Sequence, residues 1–130
     1  MINWFEKHYI LSIIIATLIA IFIFYMSSKS FEKGTPVDFP FKTIAYHFLI
    51  FSLLSFFISV SLVGKTKNIY FVVIAILISI SYGIFDELHQ LFVPNRYCSI
   101  NDVFIDSFGI ITTNLFYILI RRTKQHQTIF

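Results

Sequence analysis

Residues 81–109 read SYGIFDELHQLFVPNRYCSINDVFIDSFG. The stretch carries Asp86, Glu87, Asp102 and Asp106, four of the seven acids in the chain, with His89, Gln90 and a lone Arg96 among them. Long apolar runs flank it on both sides. An ionisable group near the centre of a membrane helix costs roughly 2.5–3.5 kcal/mol on insertion scales. A polar knot between two apolar runs therefore reads as a membrane edge at which two helices meet.

Outward from that knot, the composition agrees. The 130 residues are 57% hydrophobic and only 13% charged, with 17 Phe. Soluble domains carry about 25% charged residues. The pattern predicts an all-α, integral membrane four-helix bundle with a polar cluster at one membrane edge, as a single domain over residues 1–130. The expected spans are approximately 9–26, 44–63, 69–93 and 100–120. Each approaches the roughly 17–25 residues that cross a core of about 30 Å. They must be helical, because lipid leaves backbone donors and acceptors without partners. The first run exceeds a signal-peptide core of about 7–15 residues and reads as a retained anchor. The loop holding Gly34, Pro36 and Pro40 is expected along the interface, and residues 64–68, GKTKN, as a tight turn.

The net charge is +3. The basic residues sit beside apolar runs and form no stripe with exposed aromatics, which argues against nucleic acid. Lys7, Lys65, Lys67, Arg121, Arg122 and Lys124 fall on the side of both termini, six against the four of Lys29, Lys33, Lys42 and Arg96. The positive-inside rule then predicts a multi-pass protein of the cell membrane with cytoplasmic termini. Cys98 is the one cysteine, so an intrachain disulfide and a CxxC motif are both excluded. It reads as a small buried neighbour.

Gly83, Glu87 and Gln90 are spaced i, i+4, i+7 and share a helical face, with Asp86 and His89 expected on a neighbouring stripe. Pro94 stops the helix, and Arg96 follows in the linker. Ser99 is the expected N-cap of the fourth span, with Asp102 at the position from which a capping-box acid reaches back. Asp106 lies a turn deeper, where no cap can use it, and needs a partner, a proton or a polar cavity. Arg96 is the expected partner. It would either clasp Asp106 or Glu87, or meet an anionic headgroup in a pocket shared with Gln90, Glu87, Ser99, Asp102 and Asp106. His47, inside the second span, joins Glu87 and Asp106 as the catalytic set if the protein is an enzyme. Asp102 and Asp106 at i, i+4, helped by Glu87, have a spacing that Mg²⁺ accepts. Without HExxH, CxxC or an acidic loop, however, no metal and no cofactor is assigned. A G-x-S-x-G nucleophile motif is also missing.

The string Tyr82-Gly83-x-x-x-Glu87-x-x-Gln90-x-x-x-Pro94-x-Arg96-x-x-Ser99-x-x-Asp102-x-x-x-Asp106-x-x-Gly109 resembles the VanZ-like family of small bacterial and archaeal membrane proteins. Lys42 and His47 resemble that family's upstream basic-and-histidine element. The family more often carries Asn where this chain has Asp106. The resemblance implies a multi-helix membrane protein, and its founding member's association with teicoplanin resistance implies a link to glycopeptide tolerance. Residues and resemblance together predict a protein that binds or modulates a polar lipid or glycolipid headgroup of the cell envelope. The alternatives are a small membrane hydrolase or transferase acting on such a headgroup, and a structural or partner subunit. The expected partner is a membrane lipid or lipid-linked envelope component, with homo-oligomerisation left open.

Overall fold

Each apolar run carries small and weakly polar residues at helical spacing. Ser12 and Ala16 lie in the first run, Ser52, Ser55 and Ser59 in the second, Ala75, Ser79 and Gly83 in the third, and Gly109 in the fourth. Lipid offers no hydrophobic drive between helices, so close approach of small residues and buried hydrogen bonds must hold them together. A computed structural model describes residues 2–30 and 40–127, with side chains for all of these except 40–42 and 124–127. It buries those small residues. Leu18, Phe22, Leu77, Phe85, Phe108 and Phe116 face outward instead.

The elements are α1 (Ile2–Lys7), α2 (Tyr9–Ser27), α3 (Pro40–Thr66), α4 (Phe71–Gln90) and α5 (Ile100–Gln127). The last four are each long and apolar enough to cross a membrane, which gives an all-α membrane bundle. α3 is the central helix and packs against α1, α2, α4 and α5. Midway along α3 and α5, Asn114 Nδ2 donates to Ser55 Oγ at 2.6 Å and to the Ile110 carbonyl at 2.8 Å. Ser59 Oγ donates to Asn114 Oδ1. All three residues are fully buried. At the end of the bundle holding the N-terminus, Tyr117 donates to Glu6 Oε1 at 2.6 Å and Arg121 Nε reaches the same oxygen at 3.1 Å. Neither knot was anticipated from the sequence.

The helix bounds differ from expectation for local reasons. α3 starts at Pro40, a residue suited to the first helical position because its missing N–H has no intrahelical partner there. The expected turn at 64–68 begins later. Gly64 stays helical, and its missing side chain leaves room for the Glu6 carbonyl of α1. The chain reverses at Lys67, whose φ is +58°. α4 ends at Gln90 rather than 93, and residues 91–93 continue as i→i+3 turns. Pro94 drives the residue before it away from the α conformation. The expected interfacial course of the first loop, including Lys33, Gly34 and Pro36, lies outside the described residues, as does the side chain of Lys42.

Candidate functional site

The C-terminal ends of α2 and α4 and the N-terminal ends of α3 and α5 meet at one end of the bundle. On α4 the spacing Gly83, Asp86, Glu87, Gln90 is i, i+3, i+4, i+7, a single inward stripe. This corrects the expectation for Asp86. It does not sit on a separate stripe but is 4% exposed, inside the cluster. Gln90 Nε2 lies between the two acids, donating to Glu87 Oε1 at 3.0 Å and to Asp86 Oδ2 at 3.3 Å. His89 does leave that stripe. Its Nε2 is 3.0 Å from Ser28 Oγ and its ring stacks on Phe24, tying α4 to the end of α2.

The start of α5 shows why Asp102 is available. Ser99 caps the helix as expected, its Oγ accepting from the Asp102 N–H at 3.3 Å. The reciprocal half of the capping box is replaced. The Ser99 N–H donates to Glu87 Oε2 at 2.8 Å, so the acid that reaches it comes from α4 rather than from Asp102. The Asp102 carboxylate turns toward α3 instead, 4.0 Å from His47 Nε2. One turn deeper, Asp106 Oδ1 is 3.0 Å from His47 Nδ1, both residues being buried. The second Asp106 oxygen has no hydrogen-bond partner among the described residues and faces Gly83.

Arg96 does not clasp Asp106 or Glu87. Its Nη2 donates to the Met26 carbonyl at 2.8 Å and its Nε to the Lys29 carbonyl at 3.1 Å. These are carbonyls at the end of α2, where the helix dipole favours a cation. Burial pushes the guanidinium pKa below its usual value, against the pull of Asp86 and Glu87. His47 takes the place beside Asp106 that the sequence suggested for Arg96, because α3 runs between α4 and α5. Cys98 is half-buried in the linker.

A cavity of about 220 Å³ opens beside this cluster. Its polar wall includes Ser27, Tyr46, His47, Asp86, Gln90 and Arg96, and its apolar wall Ile23, Met26 and Phe51. Three buried polar atoms on that wall, Ser27 Oγ, Tyr46 Oη and Asp86 Oδ1, complete no well-directed hydrogen bond among the described residues, although Ser27 and Asp86 interact with one another. Native proteins pair the large majority of such atoms, so each calls for a partner. Of the residues expected at the site, the structure brings Glu87, Gln90, Ser99, Asp102, Asp106 and His47 into one connected set, with Arg96 across the cavity. Asp86, Ser27 and Tyr46 were missed. The α4 stripe could have found Asp86. Ser27 opens the SSKS stretch just after the first apolar run and Tyr46 sits inside the second, and neither gave a signal.

No curated protein and no solved structure matches the chain. The VanZ/LLP1 family profile matches residues 11–121, reaching from α2 into α5 and covering every residue of the cluster. With most of its length matched, including the polar knot and the helices that carry it, the chain belongs to the VanZ/LLP1 family.

Proposed function

We propose that this VanZ-like membrane protein binds the polar headgroup of an envelope lipid or glycolipid, one that offers an anionic group and hydroxyls. The observation that carries the reading is the cavity wall, on which Tyr46 Oη completes no hydrogen bond among the described residues and Ser27 and Asp86 have at most each other, opposite a half-buried guanidinium. Arg96 matches an anionic oxygen, Asp86 Oδ1 accepts from a hydroxyl, and Ser27 and Tyr46 donate or accept. Ile23, Met26 and Phe51 suit the first carbons of the lipid stem. A role in glycopeptide tolerance belongs to the same reading, through retention of an envelope lipid.

Lipids retained by the purified protein, identified by mass spectrometry, test the proposal. One headgroup class is expected to be enriched over the membrane extract. Arg96→Ala should lower its retention about tenfold or more, since a hydrogen bond to a charged group contributes roughly 1.5–3 kcal/mol. Tyr46→Phe should lower retention with the melting temperature unchanged, because it removes only a hydroxyl with no partner among the described residues. Retention of lipid in bulk proportions by the wild type would overturn the reading and leave a structural role. The His47–Asp106 hydrogen bond supports a second reading, a hydrolase or transferase in which His47 and Glu87 move protons at the headgroup. Vesicles of the retained lipid would then yield a product with wild type and none with Glu87→Gln.

We also propose cytoplasmic termini in the cell membrane, supported by the six-to-four split of basic residues. In a Cys98→Ser background, a cysteine at Gln125 is expected to resist a membrane-impermeant maleimide in intact cells. One at Tyr97, which is 86% exposed at the site end, should react. The opposite pattern would invert the topology.

A further inference from the structure

The geometry points to a divalent-cation site formed by His47, Glu87 and Asp102. One ligand atom from each, the His47 ring nitrogen and a carboxylate oxygen from each acid, lies within 4.8 Å of the others. Bonds of 2.0–2.2 Å set neighbouring ligand atoms about 3.0–3.5 Å apart, so small side-chain shifts close the site. The three residues come from α3, α4 and the first turn of α5, so no spacing in the sequence marks them.

Three further observations point to an ion. The His47 side chain is only 7% exposed, yet its Nε2 makes no hydrogen bond among the described residues. It aims at Asp102 Oδ2 from 4.0 Å, beyond hydrogen-bond reach. The other ring nitrogen is held by Asp106, which with an ionised carboxylate leaves the Nε2 lone pair free. A carboxylate on the far nitrogen is the arrangement that orients metal-binding histidines and raises their basicity. Glu87 is supported likewise, by Gln90 and the Ser99 N–H, each oxygen keeping a lone pair. Lastly, among the described residues at this end Asp86, Glu87 and Asp106 are buried and Asp102 half-buried, whereas Lys29 is exposed and Arg96 half-buried, and buried negative charge favours a cation. One imidazole with two carboxylates suits Mn²⁺ or Zn²⁺ better than an all-oxygen ion such as Ca²⁺. Coordination positions beyond these three would take water or a ligand oxygen.

The site adjoins the headgroup cavity through His47 but is separable from that reading, because Glu87 and Asp102 do not line the cavity and Ser27, Tyr46 and Arg96 are not ligands. The test titrates chelator-stripped protein with Mn²⁺, followed by the electron paramagnetic resonance of the free ion, and separately with Zn²⁺ against a chromophoric chelator. One equivalent per chain is expected. Asp102→Asn should weaken binding at least about tenfold, and Asp102 is exposed enough for the variant to fold. Asp106→Asn leaves all three ligands in place and should still weaken binding about 10–100-fold, the usual cost of losing an orienting partner. Absence of binding by the wild type would overturn the proposal. So would binding that Asp102→Asn leaves unchanged, which would mark an adventitious ion.

Discussion

Replacing His47 with leucine is expected to destabilise the metal-free protein by about 3–5 kcal/mol, and Asp106→Asn in the same chain to restore most of that loss. Among the described residues the imidazole is the one hydrogen-bond partner of Asp106 Oδ1, at 3.0 Å, and Asp106 Oδ2 has none. Without His47 a carboxylate that is 1% exposed, more than a turn inside α5, is left with no partner on either oxygen. Removing one member of a buried pair costs far more than the pair contributes, because the survivor keeps its desolvation penalty. Asparagine at 106 removes the charge and keeps a carbonyl for the His47 N–H, so the single Asp106→Asn variant should be close to wild type. A double-mutant cycle read by thermal melting in detergent with chelator present measures the coupling. A His47→Leu protein within about 1 kcal/mol of wild type would contradict the arrangement, since only a solvated Asp106 tolerates the loss so cheaply.

The second large effect falls on glycines, in the order Gly109, Gly64, Gly83. A methyl group at Gly109 would stand 2.6 Å from the Phe48 carbonyl and 2.8 Å from Ser52 Oγ. The hydroxyl can rotate away, but the carbonyl belongs to the backbone of α3, so the two helices must part. Such overpacking costs about 1–3 kcal/mol. Parting α3 from α5 also stretches Asn114–Ser55 and His47–Asp106, which places Gly109→Ala at the upper end. At Gly64 the obstacle is the Glu6 carbonyl, but α1 has only six residues and can shift more readily than the central α3, so the loss is smaller. At Gly83 the nearest atoms are Phe51 Cε1 at 3.4 Å and Asp106 Oδ2 at 3.5 Å, ordinary contact distances. Alanine there should be neutral or slightly stabilising, helped by about 0.5–1 kcal/mol of helix preference over glycine. Melting temperatures of the three variants test the ranking. Equal losses at Gly83 and Gly109 would contradict it.

Much of the site was legible because membrane sequences make polar residues conspicuous. Glu87, Gln90, Asp102 and Asp106 stood out against apolar runs, and the cap at Ser99 followed from its position before α5. Asp86 was misread although the information was present, since i, i+3, i+4, i+7 on α4 places it with Gly83, Glu87 and Gln90. The Arg96 clasp failed for another reason. Proximity in sequence favoured Arg96 over His47, which lies 59 residues from Asp106. Asn114 and Glu6 escaped notice because each is a single polar group whose partner lies on a different helix.

By itself the sequence determined the membrane setting, the four spans and the gathering of the acids at one end of the bundle. Those follow from hydropathy over windows of about 20 residues, and lipid leaves the backbone no other solution. Tertiary structure decided which donor meets which acceptor. α3 occupies the centre of the bundle, so His47 reaches both Asp102 and Asp106, while Arg96 turns outward to the carbonyls ending α2. The Ser99 N–H is taken by Glu87 from the neighbouring helix, and that exchange frees Asp102. Periodicity assigns a residue to a face of its own helix. The partner on that face is fixed by the neighbouring helix and its register, and small residues such as Gly109 set both by how closely they let backbones approach.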